Sequence, residues 1–205
     1  MSIWAIVVAA GSGSRFGGAK QFEPLAGRRV VDWSVATAAA AADGVVCVVP
    51  PEPPGGEPSA DRCVAGGASR SESVRAGLAV VPDDAEVVVV HDAARPLAGA
   101  DLFDAVIAAV REGADAAIPA IPLHDTIRHA TNGVVDRSEL VAVQTPQAFR
   151  ADVLRKAHAH GGDATDDAAL VEAAGGTVVV VPGDPHNLKI TDPGDLRVAA
   201  VFLES

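Results

Sequence analysis

The chain has 205 residues, 49% of them hydrophobic, enough for one full core, and a formal net charge of −11. So acidic a chain lacks the basic face that a broad nucleic-acid or anionic-membrane footprint needs. With three lysines in all, Lys20, Lys156 and Lys189, a phosphate site has to be local, built from a few placed cations and a divalent metal.

The chain opens on an apolar, strand-like run over residues 3–9. This run is short and has neither a basic start nor a cleavage site, so it reads as a strand and not as a signal peptide. No stretch reaches membrane-spanning length, which makes a cytoplasmic protein the expectation. The run breaks into Ala10, Gly11, Ser12, Gly13 and Ser14, followed by Arg15, a Gly17-Gly18 pair and Lys20. Glycines let consecutive backbone N–H groups converge on an anion, and two trailing cations suit a polyphosphate. A strand running into such a loop reads as a nucleotide-phosphate site; the plainer alternative is a Gly/Ser turn with two solvated cations. It is neither of two familiar loops. The dinucleotide fingerprint fails because Phe16 stands where its third glycine belongs, and Lys20 is not followed by the Ser or Thr of a P-loop.

Further on, residues 30–42 predict a helix ended by Asp43-Gly44, and residues 45–49 a buried parallel strand. Residues 50–58 hold five prolines and read as an exposed loop. Cys47 and Cys63 have no C-x-x-C spacing or neighbouring histidines and read as small core residues. Residues 63–65 look like a strand end, Gly66-Gly67 a tight turn, and residues 71–80 a helix. The run 87–90 is another buried strand, ending in His91, Asp92, Ala93, Ala94, Arg95 and Pro96. Residues 101–112 form an amphipathic helix and 116–122 an extended segment. Asn132-Gly133 between two short segments signals a hairpin, so that residues 124–140 form an arm. Helices at 151–159 and 165–174, a strand at 178–181, a short extended piece at 187–190 and a last helix opened by Asp192-Pro193 complete the pattern.

Alternation of this kind predicts a single α/β domain over 1–205: a Rossmann-like, mostly parallel twisted sheet with helices on both faces, plus a projecting β-hairpin arm. Ligands in such sheets bind beyond the carboxyl ends of the strands. The Gly11 loop, Gly66-Gly67, and Asp92 with Arg95 all fall at such ends.

Taken together, AAGSGSRFGGAKQF, GGASRSESVRAGL, VHDAARP, the DT of LHDTI, the VDR before LVAVQTPQAF, TDDAALVE and NLKIT resemble the 2-C-methyl-D-erythritol 4-phosphate cytidylyltransferases. The pieces follow in family order over nearly the whole chain. The resemblance implies transfer of a cytidylyl group from CTP to methylerythritol phosphate with Mg²⁺, in a homodimer. It implies that Ala9, Ala10, Gly11, Gly13 and Ala93 lie around the cytidine and phosphates, and that Gly67 and Ser73 contact the cytosine. It assigns Arg15, Lys20 and Lys189 to phosphate charge, and Asp92 to the ribose, the reacting phosphates or the metal. Thr126 and Arg137, on the arm, would hold the acceptor in a neighbouring subunit's site. Ala68 departs from the pattern, since several relatives carry an acidic residue there. The sister reading is transfer to another polyol phosphate such as ribitol 5-phosphate; the reading from another class is a nucleotide-binding module without catalysis. His91, His124, His158 and His186 lack metal-ligand spacing and are given no chemistry.

Overall fold

Every residue of strand β1 (Ile3–Val8) is apolar, and its two faces enter different cores. Ile3, Ala5 and Val7 point into one buried cluster and Ile6 into another, as the two-residue repeat of a strand requires. The computed structural model describes every residue except Ser14, Arg15, His160 and Ser205.

From β1 the chain passes a 3₁₀ turn (Lys20–Phe22) and a small hairpin, β2 (Pro24–Leu25) with β3 (Arg28–Arg29), into α1 (Val30–Ala41). Then come β4 (Gly44–Val49), β5 (Arg62–Ala65), α2 (Arg70–Leu78), β6 (Val87–Asp92), α3 (Ala100–Arg111) and β7 (Ala116–Pro122). The arm holds β8 (Arg128–His129) and β9 (Gly133–Val134). The remainder is β10 (Val141–Val143), β11 (Gln147–Arg150), α4 (Ala151–Ala159), α5 (Asp167–Ala173), β12 (Val178–Pro182) and α6 (Pro193–Glu204).

In the main sheet β1 lies between β4 and β6 and is parallel to both, and β5 extends the sheet beyond β4. Helices α1 and α3 cover one face with Val31, Val35, Phe103 and Val106. Helices α2, α4 and α5 cover the other with Val74, Leu154 and Val171. Because both faces are buried, the central strands are continuous apolar runs. The chain leaves β1 toward β4 on one side and returns to β6 on the other. The resulting crevice beyond the carboxyl ends of β1 and β6 is where such sheets bind ligands.

The sheet is mostly parallel, with one interruption. Strand β12 pairs parallel with β7, whereas β11 runs antiparallel between β7 and β6 and β10 runs antiparallel to β7 alone. These two short strands, separated by Gln144, Thr145 and Pro146, give little periodic signal. The extended piece expected at 187–190 is not a strand. Its backbone is used in turns, with the Asn187 N–H donating to Asp184 O and that of Leu188 to His186 O. Helix α2 begins at Arg70 because Ser69 caps it, its Oγ accepting the Glu72 N–H at 3.1 Å. On the arm, Gly133 takes a φ of +92° that suits glycine, and β8 pairs antiparallel with β9. Among the described residues no helix is long and apolar enough to cross a membrane.

Candidate active site

A cavity of about 520 Å³ opens in this crevice, and its lining comes from four separate strand ends or loops. The first is the loop after β1. Gly13 sits at φ +64°, and a Cβ there would stand 1.8 Å from the carbonyl oxygen of Gly18. That carbonyl in turn accepts the Lys20 N–H at 2.8 Å, so the loop folds back on itself and delivers Lys20 to the cavity wall. Gln21, 4% exposed, ties the loop base: its Nε2 donates to Ala9 O at 2.6 Å and to Gly11 O at 2.9 Å. Arg15 lies outside the described residues.

The second wall is the turn between β5 and α2. Gly66 packs so closely that a Cβ would meet that of Ala10 at 2.2 Å, which lets the two loops touch. Ser73 Oγ accepts the Gly67 N–H at 3.2 Å and donates to Ser69 O at 2.9 Å, fixing the turn on the helix. Ala68 gives its N–H to Glu72 Oε2 at 2.6 Å.

The third and fourth walls supply the charges. Asp92, at the end of β6, receives Lys189 Nζ on Oδ2 at 2.6 Å and Arg70 Nε on Oδ1 at 3.3 Å. Burial alone would raise the Asp92 carboxyl, but the Arg70 and Lys189 cations outweigh it and hold the group well below the usual carboxylate range. Arg70 is itself held by the fully buried Asp167, Nη1 to Oδ2 at 2.7 Å, and Asp167 Oδ1 lies 3.0 Å from His158 Nε2. Burial pulls the Arg70 guanidinium down, and the two carboxylates more than reverse this. Lys189 is placed from both sides. Asn187, fully buried, donates through Nδ2 to Thr145 O at 2.9 Å, and buried Ile190 donates its N–H to Ala94 O at 2.8 Å.

The structure therefore gathers Ala9, Ala10, Gly11, Gly13, Lys20, Gly67, Ser73, Asp92 and Lys189 around one cavity. Ala93 is not among the lining residues. It is fully buried, its N–H donating to Val8 O at 3.1 Å and its carbonyl accepting Ser34 Oγ at 3.0 Å, and Ala94 lines the cavity instead. Thr126 and Arg137 are exposed on the arm and do not line it, and Arg137 Nη1 donates to the His124 carbonyl. Sequence reasoning singled out neither Arg70 nor Gln21. Both stand inside the family-like stretches, but the value of Arg70 rests on Asp92 and Asp167, far along the chain, and that of Gln21 on how its own loop folds back onto the Ala9 and Gly11 carbonyls. Among the described lining residues Asp92 is the one carboxylate, and no cluster of three or more acidic, His or Cys side chains could cage a metal.

A glycine-lined anion cradle, two lysines and an ionised aspartate can neutralise and orient a polyphosphate. Residues 3–205 match the family model described as 2-C-methyl-D-erythritol 4-phosphate cytidylyltransferase. The chain is 43% identical to the Nocardia farcinica protein of that name, over 99% of this chain and 94% of the relative. It is 46% identical to a bifunctional enzyme IspD/IspF of Anaeromyxobacter dehalogenans, covering 98% of this chain but spanning about half of that relative (56%). The crystal structure of the 2-C-methyl-D-erythritol 4-phosphate cytidylyltransferase of Thermus thermophilus superposes with a TM-score of 0.87 at 34% identity, covering 100% of both chains.

Proposed function

The chain belongs to the 2-C-methyl-D-erythritol 4-phosphate cytidylyltransferase family, and on that premise we propose that it joins CTP to methylerythritol phosphate. An acceptor phosphate oxygen attacks the α-phosphorus of CTP in line. The new P–O bond forms as the bond to the β-phosphate bridge breaks, and pyrophosphate leaves with that electron pair. The nucleophile is already an anion, so the demand on the protein is positioning and charge neutralisation rather than a strong general base. The observation that carries this reading is the meeting of Lys20, Asp92 and Lys189 in one glycine-lined cavity.

In this reading Lys20, Arg15 and Lys189 neutralise the triphosphate and the crowded transition state. Ala10, Gly11 and Gly13 cradle the phosphates while Gly67 and Ser73 face the base. Mg²⁺ would be held by the substrate phosphates with Asp92 as the protein carboxylate nearest to them, and would supply further neutralisation of phosphate charge. Thr126 and Arg137 take the acceptor phosphate in the site of a second copy, which is supported by their exposure outside their own chain's cavity. The protein then works as a cytoplasmic homodimer.

The test is a substrate panel. Purified protein with Mg²⁺ and CTP is expected to release pyrophosphate only when methylerythritol phosphate is added. Faster turnover with ribitol 5-phosphate would replace the acceptor, and CTP binding without turnover on any polyol phosphate would favour a binding module.

A further inference from the structure

Behind the cavity lies a polar cluster that the reaction does not touch. His91, Gln144, Thr145 and Asn187 are each at most 5% exposed, and none of them lines the cavity. Buried polar groups cost stability unless paired, and here the pairing has a direction. The Arg95 carbonyl lies 3.2 Å from His91 Nε2, and a carbonyl only accepts, so Nε2 carries the ring proton. Nδ1 is then bare and accepts the hydroxyl proton of Thr145, whose Oγ lies 3.1 Å away. The same Oγ accepts the Asp92 backbone N–H at 3.0 Å. One polarity runs along the chain from Asp92 N–H through Thr145 and His91 to the Arg95 carbonyl.

Thr145 also reaches the other charged wall. Its carbonyl accepts Asn187 Nδ2 at 2.9 Å, and the Asn187 carbonyl accepts Arg95 Nη1 at 2.8 Å. Two residues on, Lys189 meets Asp92 at 2.6 Å. The two cleft residues belong to segments far apart in sequence, and both are anchored on Thr145.

We infer that His91 is a positioning residue: as its Nε2-protonated tautomer it orients the Thr145 hydroxyl, which sets the Asp92 backbone against the segment carrying Lys189. This rests on the transfer reaction proposed above. Burial beside the Phe103 ring, at 5.3 Å between centroids, supports an uncharged ring. It pushes the imidazole down to about 4, with Asp92 opposing, and Arg95 and Lys189 are the other charges that act on it.

Two measurements test the idea. Nitrogen NMR of wild-type His91 at neutral pH, which needs no turnover, should show the proton on Nε2 and none on Nδ1; a proton on Nδ1 would overturn the proposal. The second compares two variants. Asn places an acceptor where Nδ1 was, whereas Gln reaches the Nε2 position and leaves the Thr145 hydroxyl without its acceptor. Gln fills more of the ring's volume, so packing alone ranks His91→Gln above His91→Asn in stability. The hydrogen-bond chain ranks activity the other way. His91→Gln should lose about tenfold in kcat with little change in KM for CTP, and His91→Asn less than about threefold. A Gln variant at least as active as the Asn variant would overturn the assignment. If neither variant folds, the tautomer decides. An inactive wild type would remove the proposed reaction and leave the tautomer measurement standing.

Discussion

His91 and Asp92 are neighbours on β6, yet acid reaches them in different pH ranges. Burial holds the His91 imidazole near 4, below its ordinary value of about 6.5, so between those values the unfolded chain binds a proton that the native one refuses. Stability should therefore fall as pH drops through that window, by on the order of 2 kcal/mol at pH 5. Asp92 is held low by Arg70 and Lys189 against its burial, so its contribution is complete above about pH 4 and is lost only in stronger acid. Urea midpoints from pH 7 to 4.5 check this: His91→Asn should flatten the slope, and Asp92→Asn should leave it in place. The lysines make a second residue-scale prediction. Lys20→Ala and Lys189→Ala should each lower kcat/KM by about 10²–10³ and barely move the melting temperature, since the Lys189 pair is partly exposed to water. Lys156, on α4 and away from the cavity, is the control, and equal losses at all three lysines would mean a general charge effect.

The loop after β1 is the element on which the cavity depends most. Gly13 combines a left-handed φ with a carbonyl 1.8 Å from where a Cβ would stand, so Gly13→Ala cannot keep this loop. KM for CTP should rise at least about tenfold while the sheet melts nearly as before, because the cost falls on a surface loop. An unchanged KM would show that the loop does not cradle the phosphates. This element was legible in the sequence, because its signal is local: apolar strand, glycines, cation. The parallel strands were legible for a related reason, since burial on both faces forces unbroken apolar runs such as VVVV at 87–90. Strands β10 and β11 were not, being three and four residues long and split by a turn. Nor were Arg70 and His91. Asp167 stands 97 residues beyond Arg70, and Thr145 54 beyond His91, and no spacing rule connects such pairs. A histidine without ligand spacing gave no chemistry by sequence, and its role emerges only from the partners that folding brings to it.

At the scale of the whole molecule the open question is where the arm works. Its hairpin has two residues per strand and exposed side chains, too little to be stable unsupported. A second copy is the natural support, and two-fold dimers are the commonest closed assembly. Lys20→Ala chains co-expressed with Arg137→Ala chains decide the matter, each variant being inactive alone. If the arm crosses over, a mixed dimer has one doubly damaged and one intact site, and random pairing should restore roughly a quarter of wild-type activity. Verified mixed dimers with no recovered activity would place the arm in its own chain's site. The opposite end of the chain carries a different consequence. Helix α6 closes a small third core in which Ala199, Leu25, Val30 and Ile190 are buried together. Ile190 is the residue after Lys189, so the helix that seals this core also clamps the backbone beside the lysine that lines the cavity. Fraying of α6 and misplacement of Lys189 are then a single event. Hydrogen exchange of the Ile190 amide should follow that of α6, and any cargo fused to this helix that loosens it will register as lost turnover before it registers as lost fold.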